Sequence, residues 1–148
     1  MNRLENKSFI NDLLASIAMV LPLVLLSPLF NLVLFHDIMD QVTFYTHSES
    51  WRFFPGMLVV TLAWGVILLI SYKMVHGSIQ GSGLRKGFNF GVFVWFICIL
   101  FAEFFNYTLI QLPFLAVVSG LLHNLISLPI GGMLMVYVLS KKQPQYSS

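Results

Sequence analysis

The stretch GSGLRKGFNFGVFVWF, residues 81–96, decides the fold. Gly83, Gly87 and Gly91 recur four residues apart, which first suggests a loop that binds a phosphate group. Such a loop needs a β-strand before its glycines, and no strand pattern precedes this one. The residues from Phe88 onward form an apolar run as long as the roughly 20 residues that a helix needs to cross a bilayer. The stretch therefore predicts the entry of a membrane-spanning helix.

The composition of the whole chain agrees with this interpretation. Of 148 residues, 57% are hydrophobic and 9% are charged, whereas a soluble domain has about 25% charged residues. Four apolar segments are long enough to span a membrane, at about residues 13–35, 55–75, 88–111 and 114–139. We therefore expect residues 1–148 to form a single all-α domain, an integral membrane four-helix bundle.

The distribution of lysine and arginine predicts the orientation of this bundle. Seven of the eight basic residues fall on one side of the predicted spans: Arg3, Lys7, Lys73, Arg85, Lys86, Lys141 and Lys142. Only Arg52 falls on the other side. Because basic residues favour the cytoplasmic side, we expect both termini and a loop over residues 76–87 to be cytoplasmic. The loop over residues 36–54 then faces outward.

Small residues on the third and fourth spans predict where helices pack closely. Glycines spaced four apart let helix backbones approach each other in a membrane. The predicted helix-packing positions are Gly83, Gly87, Gly91, Gly120, Ser127 and Gly131.

Arg85 and Lys86 lie beside the start of the third span. The simplest interpretation is that they set the topology. The alternative is that they contact an anionic lipid head group near the helix N-terminus.

Glu103 is the one acidic residue inside a predicted span. A carboxylate in hydrocarbon costs about 3 kcal/mol, so it usually has a partner or a function. If the chain reverses near Pro113, Glu103 and His123 lie at the same depth on adjacent helices, with Asn106 and Asn124 close by.

Three interpretations of this group stay open. The first is a functional polar site or proton relay, and the second is a structural hydrogen-bond clamp between two helices. In the third, the chain turns at residues 106–108, and Glu103 lies at the membrane surface.

Other kinds of site have less support. The outer loop contains His36, Asp37, Asp40, His47 and Glu49, but their spacing matches no metal-binding signature. We therefore expect no metal, no cofactor and no catalytic residue. No basic tract indicates binding to nucleic acid.

A set of short motifs resembles small bacterial four-span inner-membrane proteins of unknown function. The motifs are a proline-containing first span, WRFFPG at residues 51–56, GLRKGFNFG at 83–91 and PIGGMLMVYVL at 129–139. This resemblance implies a four-helix fold and a bacterial inner membrane. It supplies no catalytic residues.

Three functions are compatible with these observations. The expected one is a non-catalytic accessory or assembly component, acting as a homo-oligomer or within a larger membrane complex. The second is a small-solute or proton-linked transporter that uses Glu103 and His123. The third is a membrane enzyme acting on a lipid or a quinone.

Overall fold

The computed structural model describes residues 3–34, 53–109 and 114–141, and all regular structure in these ranges is helical. The four helices are α1 (Arg3–Leu34), α2 (Phe53–Val75), α3 (Gly83–Leu109) and α4 (Phe114–Ser140). Each contains a segment long and apolar enough to cross a membrane. The predicted all-α fold with four candidate membrane-spanning helices is therefore confirmed for the described residues.

The connection between α2 and α3 is shorter than predicted, because α3 begins at Gly83 rather than at residue 88. Gly81 and Gly83 have φ values of 103° and 52°, which L-residues with a side chain rarely adopt. These two glycines let the chain reverse within a few residues. The Asn89 side chain donates a hydrogen bond to the Gln80 carbonyl at 2.8 Å and ties the loop to the helix. The loop thus covers residues 76–82.

The predicted outer loop falls almost entirely outside the described residues. Only residues 53 and 54 are described, and they form the start of α2. The His, Asp and Glu residues of that loop, for which no metal site was expected, lie outside the described ranges. The turn expected near Pro113 does so too.

Helix α4 is the centre of the bundle. It packs against α1 on one side and against α3 on the other, while α2 packs mainly against α1. The Tyr72 ring of α2 also reaches the Phe90 ring of α3, with centroids 5.2 Å apart. The buried hydrophobic core draws residues from all four helices: Ala15, Met19, Leu68, Leu69, Tyr72, Phe90, Val94, Leu128, Met135 and Val136.

Helices α3 and α4 approach each other so closely that their backbones touch. A Cβ atom at Gly87 would collide with the Gly132 carbonyl. One at Gly91 would lie 2.5 Å from the Pro129 Cα atom. Only glycine fits at these positions, so the two glycines bring the helix axes together over one full turn. We call this contact the glycine seam.

Two further close contacts connect the remaining helices. At Gly131 of α4, a Cβ atom would collide with the Met19 carbonyl of α1. At Gly65 of α2, a Cβ atom would lie 2.6 Å from the Ser16 carbonyl oxygen of α1. Each pair of neighbouring helices in the order α3, α4, α1, α2 is therefore joined where a glycine meets a backbone.

Gly83 is an exception to the expected packing. A Cβ atom there would meet no described atom within 4 Å, so Gly83 does not pack against another described helix. Its positive φ explains the glycine, because the residue forms the turn into α3.

We predict that Gly91→Ala lowers the free energy of unfolding by about 1–3 kcal/mol, the usual cost of overpacking a close contact. The added methyl group would meet backbone atoms of Leu128 and Pro129, which cannot rotate away. Unfolding in mixed detergent micelles measures this loss. Gly56→Ala is the matched control, because a Cβ atom there has open space. Equal losses in the two variants would contradict the glycine seam.

Candidate functional site

Glu103 lies on the second half of α3 and faces α4. A Cβ atom at Gly120 would lie 2.6 Å from Glu103 Oε1, so the missing side chain at Gly120 makes room for the carboxylate. The Asn106 side chain lies one turn along α3, near the same carboxylate. Gly120 thus borders a polar site instead of facing the glycines of α3.

A π-helical turn explains why Glu103 faces α4. Residues Trp95–Ile99 form this turn, and the Leu100 N–H donates to the Trp95 carbonyl five residues earlier. A π turn contains one more residue than an α turn, which rotates everything after it by about 100° relative to regular α spacing. Glu103 is thereby brought onto the same face of α3 as Gly91.

The first residue of this turn is also bound to α4. Trp95 Nε1 donates a hydrogen bond to the Leu121 carbonyl at 2.9 Å, and this bond links the π turn to the neighbouring helix. Beyond Val94, no described residue of α3 is buried. Trp95 and Ile99 are only partly buried, but they still pack against the hydrophobic core.

The polar site expected from Glu103 and His123 stays a prediction. No ion pair within 4.0 Å joins them, although both side chains are described. Helix α3 ends at Leu109 and α4 begins at Phe114. Glu103 lies six residues before the end of α3, and Gly120 lies six residues after the start of α4. Gly120 is therefore at about the same depth as the Glu103 carboxylate.

The alternative prediction, in which the chain turns at residues 106–108, is wrong. These residues are helical, since α3 continues to Leu109. The Thr108 hydroxyl donates to the Phe104 carbonyl at 2.9 Å, a bond within the same helix.

His123 contacts α1 instead of α3. Its ring packs edge-on against the Phe30 ring with centroids 5.2 Å apart, and the Leu23 backbone lies near the imidazole. Its Nε2 atom is buried and has no hydrogen-bond partner among the described residues. Asn124, which was predicted to join the polar site, donates to the Gly120 carbonyl at 2.8 Å and so stabilises its own helix.

Arg85 and Lys86 lie in the first turn of α3. Arg85 is exposed and Lys86 is half-buried, so both are accessible to solvent or to a lipid head group. Within the described ranges, no group of three or more His, Cys, Asp and Glu side chains could hold a metal ion.

Sequence reasoning did not identify the π turn, Trp95 or Gly132. No proline or glycine marks residues 95–99, and an interhelical bond from an indole has no pattern of its own. Gly132 stands beside Gly131 in the sequence, but only the fold shows that these two glycines contact different helices.

Comparisons of this chain with known protein families, with curated proteins and with solved structures find no match.

We predict that Glu103 is energetically coupled to Asn106 but not to His123. Double-mutant cycles on unfolding in detergent measure this coupling. Glu103→Gln combined with Asn106→Ala should depart from additivity by about 0.5 kcal/mol or more, as expected for groups in contact. Glu103→Gln combined with His123→Ala should be additive within about 0.5 kcal/mol. A larger coupling to His123 than to Asn106 would contradict this geometry.

Proposed function

We propose that this multi-pass membrane protein is a non-catalytic accessory or assembly component of a membrane complex, which binds another membrane helix through Glu103. The observation that carries the proposal is that no described cationic group lies within 4.0 Å of the Glu103 carboxylate. A carboxylate in hydrocarbon costs about 3 kcal/mol and normally pairs with another polar group. Asn106 satisfies only part of its hydrogen-bonding capacity.

The surroundings of Glu103 support a protein partner. The carboxylate is half-buried, so one side rests against Gly120 and the other remains accessible from outside the bundle. Large aromatic side chains neighbour it in the sequence, and Phe101 and Phe104 are each 67% exposed. Lipid alone can cover these rings, but it cannot satisfy a carboxylate. A helix with a basic or hydrogen-bonding side chain can do both.

The proposed location is a bacterial inner membrane with both termini in the cytoplasm. The seven-to-one distribution of basic residues supports this orientation. The partner is a second copy of the chain or a different membrane protein.

The partner proposal predicts that Glu103→Gln releases a membrane protein that co-purifies with the wild-type chain in mild detergent. Quantitative mass spectrometry of crosslinked complexes from native membranes measures the loss, which we expect to be several-fold. Asp12→Asn is the matched control. It removes the same charge from a carboxylate that already pairs with Lys73 at 2.6 Å.

Two results would decide against the assembly role. One is a single monomeric species in native membranes. The other is a set of partners that Glu103→Gln and Asp12→Asn change equally. A released partner with a basic or polar residue in a membrane span would support direct pairing.

The orientation proposal is tested separately with engineered cysteines in a Cys98→Ser background. Lys141→Cys and Ser82→Cys should react with a membrane-impermeant maleimide only after the inner membrane is opened. Ser48→Cys should react in intact spheroplasts. The reverse pattern would contradict the orientation.

A second candidate function is proton-linked or small-solute transport. It is favoured by one observation: α3 has a half-buried carboxylate, and α4 has a buried imidazole nitrogen with no partner among the described residues. Purified protein in liposomes containing a pH-sensitive dye distinguishes the two functions. Proton entry that Glu103→Gln abolishes and Asp12→Asn preserves would favour transport over assembly.

A further inference from the structure

Two buried polar atoms on α4 have no hydrogen-bond partner among the described residues: His123 Nε2 and Ser127 Oγ. Ser127 has no exposed surface at all. The two residues are four apart in a helix, so their Cβ atoms are about 5–6 Å apart on one face. Each unpaired polar group in a buried position costs about 1–3 kcal/mol. Two such groups one turn apart indicate a shared ligand.

This face of α4 is directed toward α1. His123 contacts Leu23 and Phe30 of α1, and Gly131, two turns further along α4, meets the Met19 carbonyl. Ser127 lies between these two contacts. The Ser127 hydroxyl therefore lies at the same depth as the segment of α1 between Met19 and Leu23.

At that level, α1 contains a carbonyl group without its usual donor. Pro22 is buried in α1 and has no N–H, so the Ala18 carbonyl cannot form the regular helical hydrogen bond. In membrane helices, a carbonyl freed by proline is commonly satisfied by a neighbouring helix, a hydroxyl group or an ordered water molecule. The segment of α1 at the level of Ser127 thus contains one carbonyl that lacks its regular helical donor.

We propose that His123 Nε2, Ser127 Oγ and the Ala18 carbonyl together bind one ordered water molecule between α1 and α4. A buried water needs two to four polar partners, and these three groups provide them. The ligand has to be small, because Met19 and Leu128 beside the site have no exposed surface. This site is separate from Glu103 and does not depend on the proposed partner helix.

Pulsed X-ray radiolysis of the full-length wild-type protein in lipid nanodiscs tests this water directly. Hydroxyl radicals form at the water itself and oxidise neighbouring side chains. Met19 lies next to the proposed site, whereas Met135 is buried equally deeply in the same core. We expect Met19 to be oxidised several-fold faster than Met135. Equal oxidation of the two methionines would overturn the proposal without any variant.

A pair of serine variants provides the second test. Ser127→Ala removes one partner of the water, so the excess oxidation of Met19 should disappear and the melting temperature should fall by a few degrees. Ser16→Ala is the control, since Ser16 is also buried but its hydroxyl already donates to the Leu13 carbonyl at 2.8 Å. It should leave the ratio of Met19 to Met135 oxidation unchanged. A higher melting temperature in Ser127→Ala would show an unpaired hydroxyl and overturn the proposal.

Discussion

The contact between the backbones of α3 and α4 at Gly87, Gly91 and Gly132 determines the rest of the arrangement. In a bilayer, burial of apolar surface gives little net attraction between helices, so close packing has to hold them together. Gly131 and Gly132 are neighbours on α4, and one meets α1 while the other meets α3. These two adjacent residues without side chains allow one helix to serve as the centre of the bundle.

Polar groups inside the bundle are satisfied largely by the backbone of α4. The Trp95 indole donates to the Leu121 carbonyl, and the Asn124 amide donates to the Gly120 carbonyl. A helix carbonyl cannot satisfy Glu103, because an ionised carboxylate only accepts hydrogen bonds, and it cannot satisfy the imidazole nitrogen of His123 that has no proton. Among the described residues, the groups that the helices leave partly or wholly unpaired are therefore the ones that point to a further molecule.

The sequence predicted the number of helices and part of the glycine seam, but not the register of the polar residues. Long apolar segments are visible in composition alone, and Gly87 and Gly91 have the spacing of a packing face. The expected polar site of Glu103 and His123 depended on the position of one turn, which lies outside the described residues. An error of a few residues there moves a helix by several ångströms, and no local pattern marks where a short reversal is centred.

The π turn makes α3 a helix of two parts whose faces are set independently. Residues before Trp95 are aligned by the glycine seam, and residues after Ile99 carry an extra rotation of about 100°. Loss of one codon in this segment would remove the extra residue and restore regular α spacing, and Glu103 would stay on the same face of α3 as Gly87 and Gly91. A change of the turn to regular α hydrogen bonding at constant length would instead rotate the residues after Ile99 by about 100°, and so present a different surface to the membrane on an unchanged core.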